Sequence, residues 1–159
     1  MSPVTARMPG QDDDAGEQYD SGQGQGPLLT EIDHIAIAVD DLPAAIDEYR
    51  DTFGAVVEHR EVVDSDGVEE ALLRVADSYV QLLTPTRDDS PVAKYLAKKG
   101  PGLHHVGYRV DDCSAVLEQV KARGHKVLDE APRPGSRGTT VAFIHPKSIA
   151  GTLIELVEE

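Results

Sequence analysis

Two stretches that read almost alike decide the fold: residues 32–41 are IDHIAIAVDD, and residues 103–112 are LHHVGYRVDD. His34 and His105 hold the same position in the two stretches, 71 residues apart. Self-similarity at a fixed spacing indicates an internal repeat, in which two copies of one supersecondary unit pack together. The repeat therefore predicts two related modules around one shared site, with a histidine from each.

The length, composition and charge of the chain exclude several classes of protein. The chain has 159 residues, 40% of them hydrophobic, which favours one domain with a core of its own. A net charge of −14 argues against nucleic-acid or anionic-membrane partners, which select basic surfaces. No apolar run is long enough to span a bilayer, and the N-terminus lacks the apolar region of a secretory signal. Cys113 is the only cysteine, so no intrachain disulfide forms. We expect a cytoplasmic enzyme or binding protein.

Local patterns divide the chain into a tail and one domain. Residues 1–27 are rich in Gly, Gln, Asp and Ser, which predicts a disordered acidic tail. Residues 28–159 form the predicted single domain, with module one at about 30–86. Alternating and helical periodicities predict the order β-α-β-β-β for this module. Its strands are expected at 31–39, 56–63, 68–75 and 79–83, and its helix at 42–53.

Module two, at about 102–158, repeats that order after a short linking helix at 90–99. Its helix is expected at 114–123, and its strands at 103–110, 126–128, 139–144 and 152–157. Two such modules side by side can curl their sheets around a common cavity, with the helices outside. The predicted fold class is therefore α+β, with two β-α-β-β-β modules forming a curled sheet around a metal site.

Strand alternation assigns a face to each repeated histidine. His34 falls on the same face as Ile32, Ala36 and Ala38, whereas Ile35, Ile37 and Val39 fall on the face that a helix would cover. In the second copy, alternation selects His105 and places His104 on the opposite face. A small residue, Ala36 or Gly107, follows two positions after each selected histidine and leaves room beside the imidazole.

The last strands of the two modules match as well. Gln81 lies in YVQLL at 79–83, and Glu155 lies in LIELV at 153–157. A glutamine and a glutamate in otherwise apolar strands need polar partners if they are buried. Two imidazoles, an amide oxygen and a carboxylate suit a divalent cation, which would keep positions open for water or substrate. Taken one at a time, each residue equally fits a hydrogen-bonded structural role.

At these residues the chain resembles the vicinal oxygen chelate superfamily, which includes glyoxalases, bleomycin resistance proteins and dioxygenases. Within it the chain is similar to the methylmalonyl-CoA epimerase family. The resemblance covers about residues 30–158. It rests on the ordered pieces IDHI (32–35), GVEEA (67–71), VQL (80–82), VAKYLAK (92–98), GLHH (102–105), FIHPK (143–147) and LIEL (153–156).

The resemblance implies a site and an activity. It implies His34, Gln81, His105 and Glu155 as metal ligands and Glu70 as a catalytic carboxylate. Because inversion is simplest with one base on each face of the reacting carbon, Glu70 and Glu155 are the candidate catalytic bases. The implied reaction is epimerisation of methylmalonyl-CoA between its 2R and 2S forms, by proton abstraction and return at C2 through a metal-stabilised enolate. The implied cofactor is a divalent ion, with Co²⁺ favoured and Mn²⁺, Mg²⁺, Zn²⁺ or Ni²⁺ as alternatives. A homodimer working in propionate metabolism is also implied.

Three other functions fit the same fold. A glyoxalase-type lyase or isomerase would use a metal and a glutamate base on a hemithioacetal. An iron-dependent dioxygenase would need only His34, His105 and Glu155. A metal-free ligand-binding protein would have no reason to keep all four ligands. Gln81 and Glu70 favour the epimerase over these alternatives, and alternation places Glu70 and the neighbouring Glu69 on opposite faces of their strand.

Overall fold

The computed structural model describes residues 26–159, so the predicted tail lies outside the described residues apart from its last two positions. These residues form one eight-stranded sheet, three α-helices and a 3-10 turn at Ser136–Gly138. In chain order the elements are β1 (Glu31–Ala38), α1 (Leu42–Phe53), β2 (Val57–Val63), β3 (Val68–Val75), β4 (Ser78–Pro85), α2 (Pro91–Lys99), β5 (Gly102–Arg109), α3 (Cys113–Ala122), β6 (Arg133–Pro134), β7 (Thr140–Ile144) and β8 (Ile154–Glu158).

The strand order confirms the two-module arrangement. The sheet runs β2-β3-β4-β1-β5-β8-β7-β6, so each module contributes four adjacent strands. The first strand of each module pairs in parallel with the last, β1 with β4 and β5 with β8. Antiparallel pairing of β1 with β5 joins the modules. The strands that carry the repeated histidines therefore lie side by side at the centre of the sheet.

The repeated aspartate pair starts one helix in each module. The Asp41 carboxylate accepts a hydrogen bond from the Ala44 backbone N–H at 2.9 Å, and Asp112 caps Ala115 in the same way at 2.8 Å. Such caps satisfy backbone donors that the first helical turn leaves free. None of the three helices in the described part of the chain is long and apolar enough to cross a bilayer.

Each repeated helix covers the outside of its own module. α1 packs over β3 and β4, where Leu42, Ala71, Leu73 and Leu82 form one buried cluster. α3 packs over β7 and β8, where Leu117, Ile144 and Leu156 belong to a second cluster. Burying one such leucine contributes about 1.5–3 kcal/mol. Both helices pack their apolar faces against the outer face of the sheet, so they leave its inner face open to form the site.

The predicted strand at 126–128 is wrong. That segment makes only an isolated bridge between Val127 and Ile144, and the second strand of module two is the two-residue β6. Proline at positions 132 and 134 removes backbone donors that a longer strand would need. The Asp129 carboxylate instead accepts the Phe143 backbone N–H at 2.8 Å, so a side chain takes the place of a strand partner.

Two β-bulges interrupt the pairing of β1 with β5. Ile32 pairs with Tyr108 and His34 with Gly107, which leaves Asp33 as an extra residue on β1. Ala36 pairs with His105 and Ile37 with Leu103, which leaves His104 as an extra residue on β5. A bulge of this kind disturbs the alternation of side chains and turns one of them in a new direction.

Three predictions made from alternation are wrong, and the bulges explain two of them, those for Ile32 and His104. Ile32 does not share the inner face with His34, because it is 47% exposed, and Asp33 is fully buried instead. Ile35 was expected beneath a helix but is 40% exposed. His104 is not turned away from the site, because its ring lies 5.1 Å from that of His105, centroid to centroid. The inward positions of His34, Ala36 and Ala38 are confirmed.

Candidate active site and metal centre

Three buried side chains from β1, β5 and β8 meet at one point. The Nε2 atoms of His34 and His105 lie 3.0 Å apart. One carboxylate oxygen of Glu155, Oε2, lies 2.9 Å from the first nitrogen and 3.1 Å from the second. Because β5 lies between β1 and β8, adjacent strands bring the three groups together. The predicted convergence of these residues is confirmed.

Gly107 provides the predicted space beside an imidazole. It lies opposite His34 in the pairing of β1 with β5. A Cβ atom at this position would lie 2.7 Å from Nε2 of His34, which is too close for a non-bonded contact. The absence of a side chain at position 107 is therefore what allows the His34 ring to turn into the site.

Gln81 and Glu70 form a second buried polar pair, contributed by β4 and β3. The Gln81 side-chain amide donates a hydrogen bond to Oε2 of Glu70. Oε1 of Gln81 and Oε1 of Glu70 are buried and have no hydrogen-bond partner. Glu69 lies on the other face and pairs with Arg60 at 2.8 Å, as alternation predicts. Two unpaired buried oxygens thus remain available for a ligand.

One cavity connects these groups. Its volume is about 240 Å³, and its walls come from both modules. Glu70, Gln81, His104, His105 and Glu155 all line it, together with Ser136 from the 3-10 turn. The sheet therefore encloses a pocket with polar groups from each half of the repeat.

Charges and burial move the pKa values of the two cavity glutamates in opposite directions. Burial raises the pKa of Glu70, and the nearby charges of Glu155 and Glu61 add to that increase. Burial would also raise the pKa of Glu155, but hydrogen bonds from His105 and His34 outweigh it and hold that pKa well below its ordinary value. Pairs of titratable groups displaced in this way are typical of acid–base sites.

The two histidines differ as well. Burial lowers the pKa of His105. Burial acts in the same direction on His34, but hydrogen bonds and charges from Asp33 and Glu155 raise its pKa to about 9. His34 is therefore the protonated member of the cluster near neutral pH when no cation is bound.

Asp33 and His104 are site residues that alternation missed. Oδ2 of Asp33 lies 2.7 Å from Nδ1 of His34. Nδ1 of His104 lies 2.8 Å from Nδ1 of His105. The available signal was the repeat itself, because Asp33 and His104 occupy the same position in the two copies.

The donor set fits a divalent cation. One nitrogen from each of two histidines and one carboxylate oxygen lie within 4.8 Å of one another, and all three residues are buried. The unpaired Oε1 of Gln81 adds an oxygen donor of the kind that such ions accept. These four residues could hold the ion, with the cavity beside it.

Comparisons with known proteins agree on one family. A model of the glyoxalase/bleomycin resistance protein/dioxygenase superfamily matches residues 33–143. The ethylmalonyl-CoA/methylmalonyl-CoA epimerase of Cereibacter sphaeroides is 37% identical over 131 residues, which cover 81% of this chain and 98% of that protein.

Solved structures give the same result. A methylmalonyl-CoA epimerase in complex with methylmalonyl-CoA and NH4+ matches with a TM-score of 0.80 and 46% identity, over 82% of this chain and 95% of that one. Methylmalonyl-CoA epimerase from Mycobacterium tuberculosis matches with a TM-score of 0.81 and 39% identity, over 86% and 93% of the two chains.

The chain therefore belongs to the glyoxalase/bleomycin resistance protein/dioxygenase superfamily. The curled eight-stranded sheet is the fold of that superfamily. Within it, sequence and structure together place the chain among the methylmalonyl-CoA epimerases, a family of isomerases.

Proposed function

We propose that this protein is a metal-dependent epimerase that interconverts the 2R and 2S forms of methylmalonyl-CoA. One observation carries the proposal. Glu70 and Glu155 come from different modules, are buried in the wall of one cavity and have pKa values displaced in opposite directions. A reaction that removes a proton and returns one calls for two such groups.

The chemistry of the substrate explains why two carboxylates are useful. C2 of methylmalonyl-CoA lies between a thioester carbonyl and a carboxylate, so loss of its proton gives an enolate. Inversion is simplest when one base removes the proton from one face and a second acid delivers a proton to the other. A bound divalent cation would polarise the oxygens of the substrate and stabilise the negative charge that develops on them.

Glu70 has the environment of a general base. Burial raises its pKa above the ordinary value of a carboxyl group, which makes the carboxylate a stronger base. The hydrogen bond from Gln81 holds one carboxylate oxygen and leaves Oε1 free to take a proton. Gln81 therefore serves two purposes in this proposal, since its other atom, Oε1, is left for the cation.

Glu155 is both a metal ligand and a base in this proposal, and each role uses a different carboxylate oxygen. The contacts with the Nε2 atoms of His34 and His105 both use Oε2. The other carboxylate oxygen takes no part in them and is the atom that would exchange a proton with C2. Contact with the cation would keep this carboxylate a weaker base than Glu70.

The ion, the assembly and the location extend this proposal. We propose Co²⁺ as the favoured ion, with Mn²⁺, Mg²⁺, Zn²⁺ or Ni²⁺ as alternatives, and a homodimer acting in the cytoplasm in propionate metabolism. The ion, the dimer and the pathway rest on the family resemblance, and the location rests on the composition of the chain.

The test is proton exchange at C2. The purified protein, supplied with Co²⁺, is incubated with (2R)- or (2S)-methylmalonyl-CoA in D2O, and loss of the C2 proton is followed by NMR. We expect deuterium incorporation together with interconversion of the two forms. No exchange with any of the five ions would refute the proposal and favour a ligand-binding protein. Turnover of a glutathione hemithioacetal instead would favour the glyoxalase-type alternative.

A further inference from the structure

We propose that Asp33 and His104 are positioning residues of the metal centre, each fixing through Nδ1 the orientation of the histidine that follows it. Each is the extra residue of a β-bulge, and each contacts the ring of the next residue, a histidine that binds the cation in the proposed function. The inference rests on that assignment for the identity of the ligand atoms.

The two nitrogens of each ring have different tasks. The Nε2 atoms of His34 and His105 converge with Glu155, so Nε2 is the atom that meets a cation. A neutral histidine that binds a metal through Nε2 carries its hydrogen on Nδ1 and needs an acceptor for it. Asp33 provides that acceptor at 2.7 Å, and His104 provides it at 2.8 Å.

The bulges make these contacts possible. In a regular strand the side chain before a histidine points to the opposite face of the sheet. At Asp33 and at His104 the strand gains one residue, and the side chain of that extra residue contacts the ring of the histidine that follows it. Because the two bulges occupy equivalent positions in the repeat, each module supplies its own ligand and its own partner for that ligand.

Two arginines hold the Asp33 carboxylate in place. Asp33 is fully buried and accepts hydrogen bonds from Arg109 at 3.1 Å and from Arg137 at 2.8 Å. Arg137 takes a left-handed backbone conformation, with φ of 56°, which costs free energy in a residue other than glycine. The bond to Asp33 is a reason for that strain to persist. Arg137 also follows Ser136, so the same bond ties the cavity wall to the metal centre.

His104 differs from Asp33 because it accepts the hydrogen bond as a neutral imidazole. It must present the lone pair of Nδ1 to His105, which places its own hydrogen on Nε2. Its ring packs edge-on against Tyr95, with the centroids 5.0 Å apart. A charged carboxylate makes its partner histidine a stronger ligand than a neutral imidazole does. We therefore expect the loss of Asp33 to weaken metal binding more than the loss of His104.

The experiment measures metal affinity without substrate. Chelator-stripped wild-type, Asp33→Asn, His104→Leu and His104→Asn proteins are titrated with Co²⁺ against a chromophoric competitor, and the visible absorption of bound Co²⁺ is recorded. We expect about 10- to 100-fold weaker binding and an altered Co²⁺ spectrum for Asp33→Asn, because the amide can still accept the Nδ1 hydrogen but lacks the charge of the carboxylate. His104→Leu removes an uncharged acceptor and should cause a smaller loss. His104→Asn restores an acceptor and should recover much of that loss.

Matched controls separate positioning from general damage. Glu31→Gln removes a carboxylate that pairs with Arg109 at 2.9 Å but does not touch His34. His125→Leu removes a histidine outside the cavity. Both controls should bind Co²⁺ as the wild type does. If Asp33→Asn fails to unfold cooperatively on heating, the two His104 variants carry the test.

The outcomes separate this inference from the proposed function. Wild-type affinity and spectrum in folded Asp33→Asn and His104→Leu would overturn the inference, even if the protein is an epimerase. Failure of the wild type to bind Co²⁺ would overturn it too. Weaker binding and altered spectra in these variants alone would support it, even if no epimerase activity is found.

Discussion

Replacement of Glu70 by glutamine should remove most of the activity while preserving the protein. The amide has the shape of the carboxylate but cannot accept a proton from C2. A positioned general base contributes about 100- to 10,000-fold to a rate, which corresponds to about 3–5 kcal/mol of transition-state free energy. We expect a loss within this range, because Glu70 is only 2% exposed and solvent has little access to take over its task.

The same substitution should not destabilise the fold. The pKa of Glu70 is raised in the folded state by burial and by the charges of Glu155 and Glu61, so the folded protein binds its proton more tightly than the unfolded chain does. The free energy of unfolding therefore falls as the pH rises from the ordinary pKa of 4.5 through the raised pKa of the folded state. Glu70→Gln removes this penalty, and its melting temperature at pH 7 should equal or exceed that of the wild type.

The assay is interconversion of the 2R and 2S forms, followed alongside C2 proton exchange in D2O, with metal content determined on the same samples. Glu69→Gln is the matched control, because Glu69 is the next residue on β3 and pairs outside the cavity with Arg60. Near wild-type interconversion of the two forms by Glu70→Gln would refute the assignment of the base, whereas exchange of one form alone would point to Glu155 as the remaining base. Loss of the metal would instead identify Glu70 as a ligand.

Three further predictions concern the metal centre and the core. Gly107→Ala should displace the His34 ring, because the new Cβ would lie 2.7 Å from Nε2, and unchanged Co²⁺ affinity would contradict this. The pKa of His34 is raised to about 9, so a cation must displace its proton at lower pH. Affinity should rise about tenfold per pH unit between pH 7 and 9 and then level off, whereas a flat profile in competition titrations would exclude this coupling. Cys113 is fully buried, and burial raises the pKa of its thiol to about 11. A thiol reagent at pH 8 should therefore label it only after unfolding, and rapid labelling of the native protein would show that reasoning to be wrong.

The repeat made most of the architecture predictable. Two copies of one motif implied two modules, and matching positions selected His34, His105 and Glu155, which the structure brings together. The bounds of β3 and α1 are those predicted, because a hairpin turn and an aspartate cap are local signals. Whether Gln81, Glu70 and the others act as assigned stays a prediction that the experiments above test.

What the sequence could not reveal were departures from regular pairing. A strand with one extra residue has the same composition as a regular strand, so alternation placed Ile32 and His104 wrongly. The second strand of module two was misplaced because the Asp129 carboxylate, and not a paired strand, accepts the backbone N–H of Phe143. Both errors arise from contacts between residues far apart in the chain.

The strand registers of the two modules also have a consequence for how a substrate can lie in the cavity. Leu72 pairs with Gln81 in module one, and Phe143 pairs with Glu155 in module two. Glu70 lies two residues before Leu72, and Val141 lies two residues before Phe143. Glu70 and Val141 therefore occupy equivalent positions in the repeat. A perfectly duplicated pocket would offer the same groups to a ligand turned end for end, and two opposed binding orientations would compete. An apolar valine at the position related to Glu70 removes that ambiguity, so both stereoisomers are expected to enter with the thioester pointing the same way.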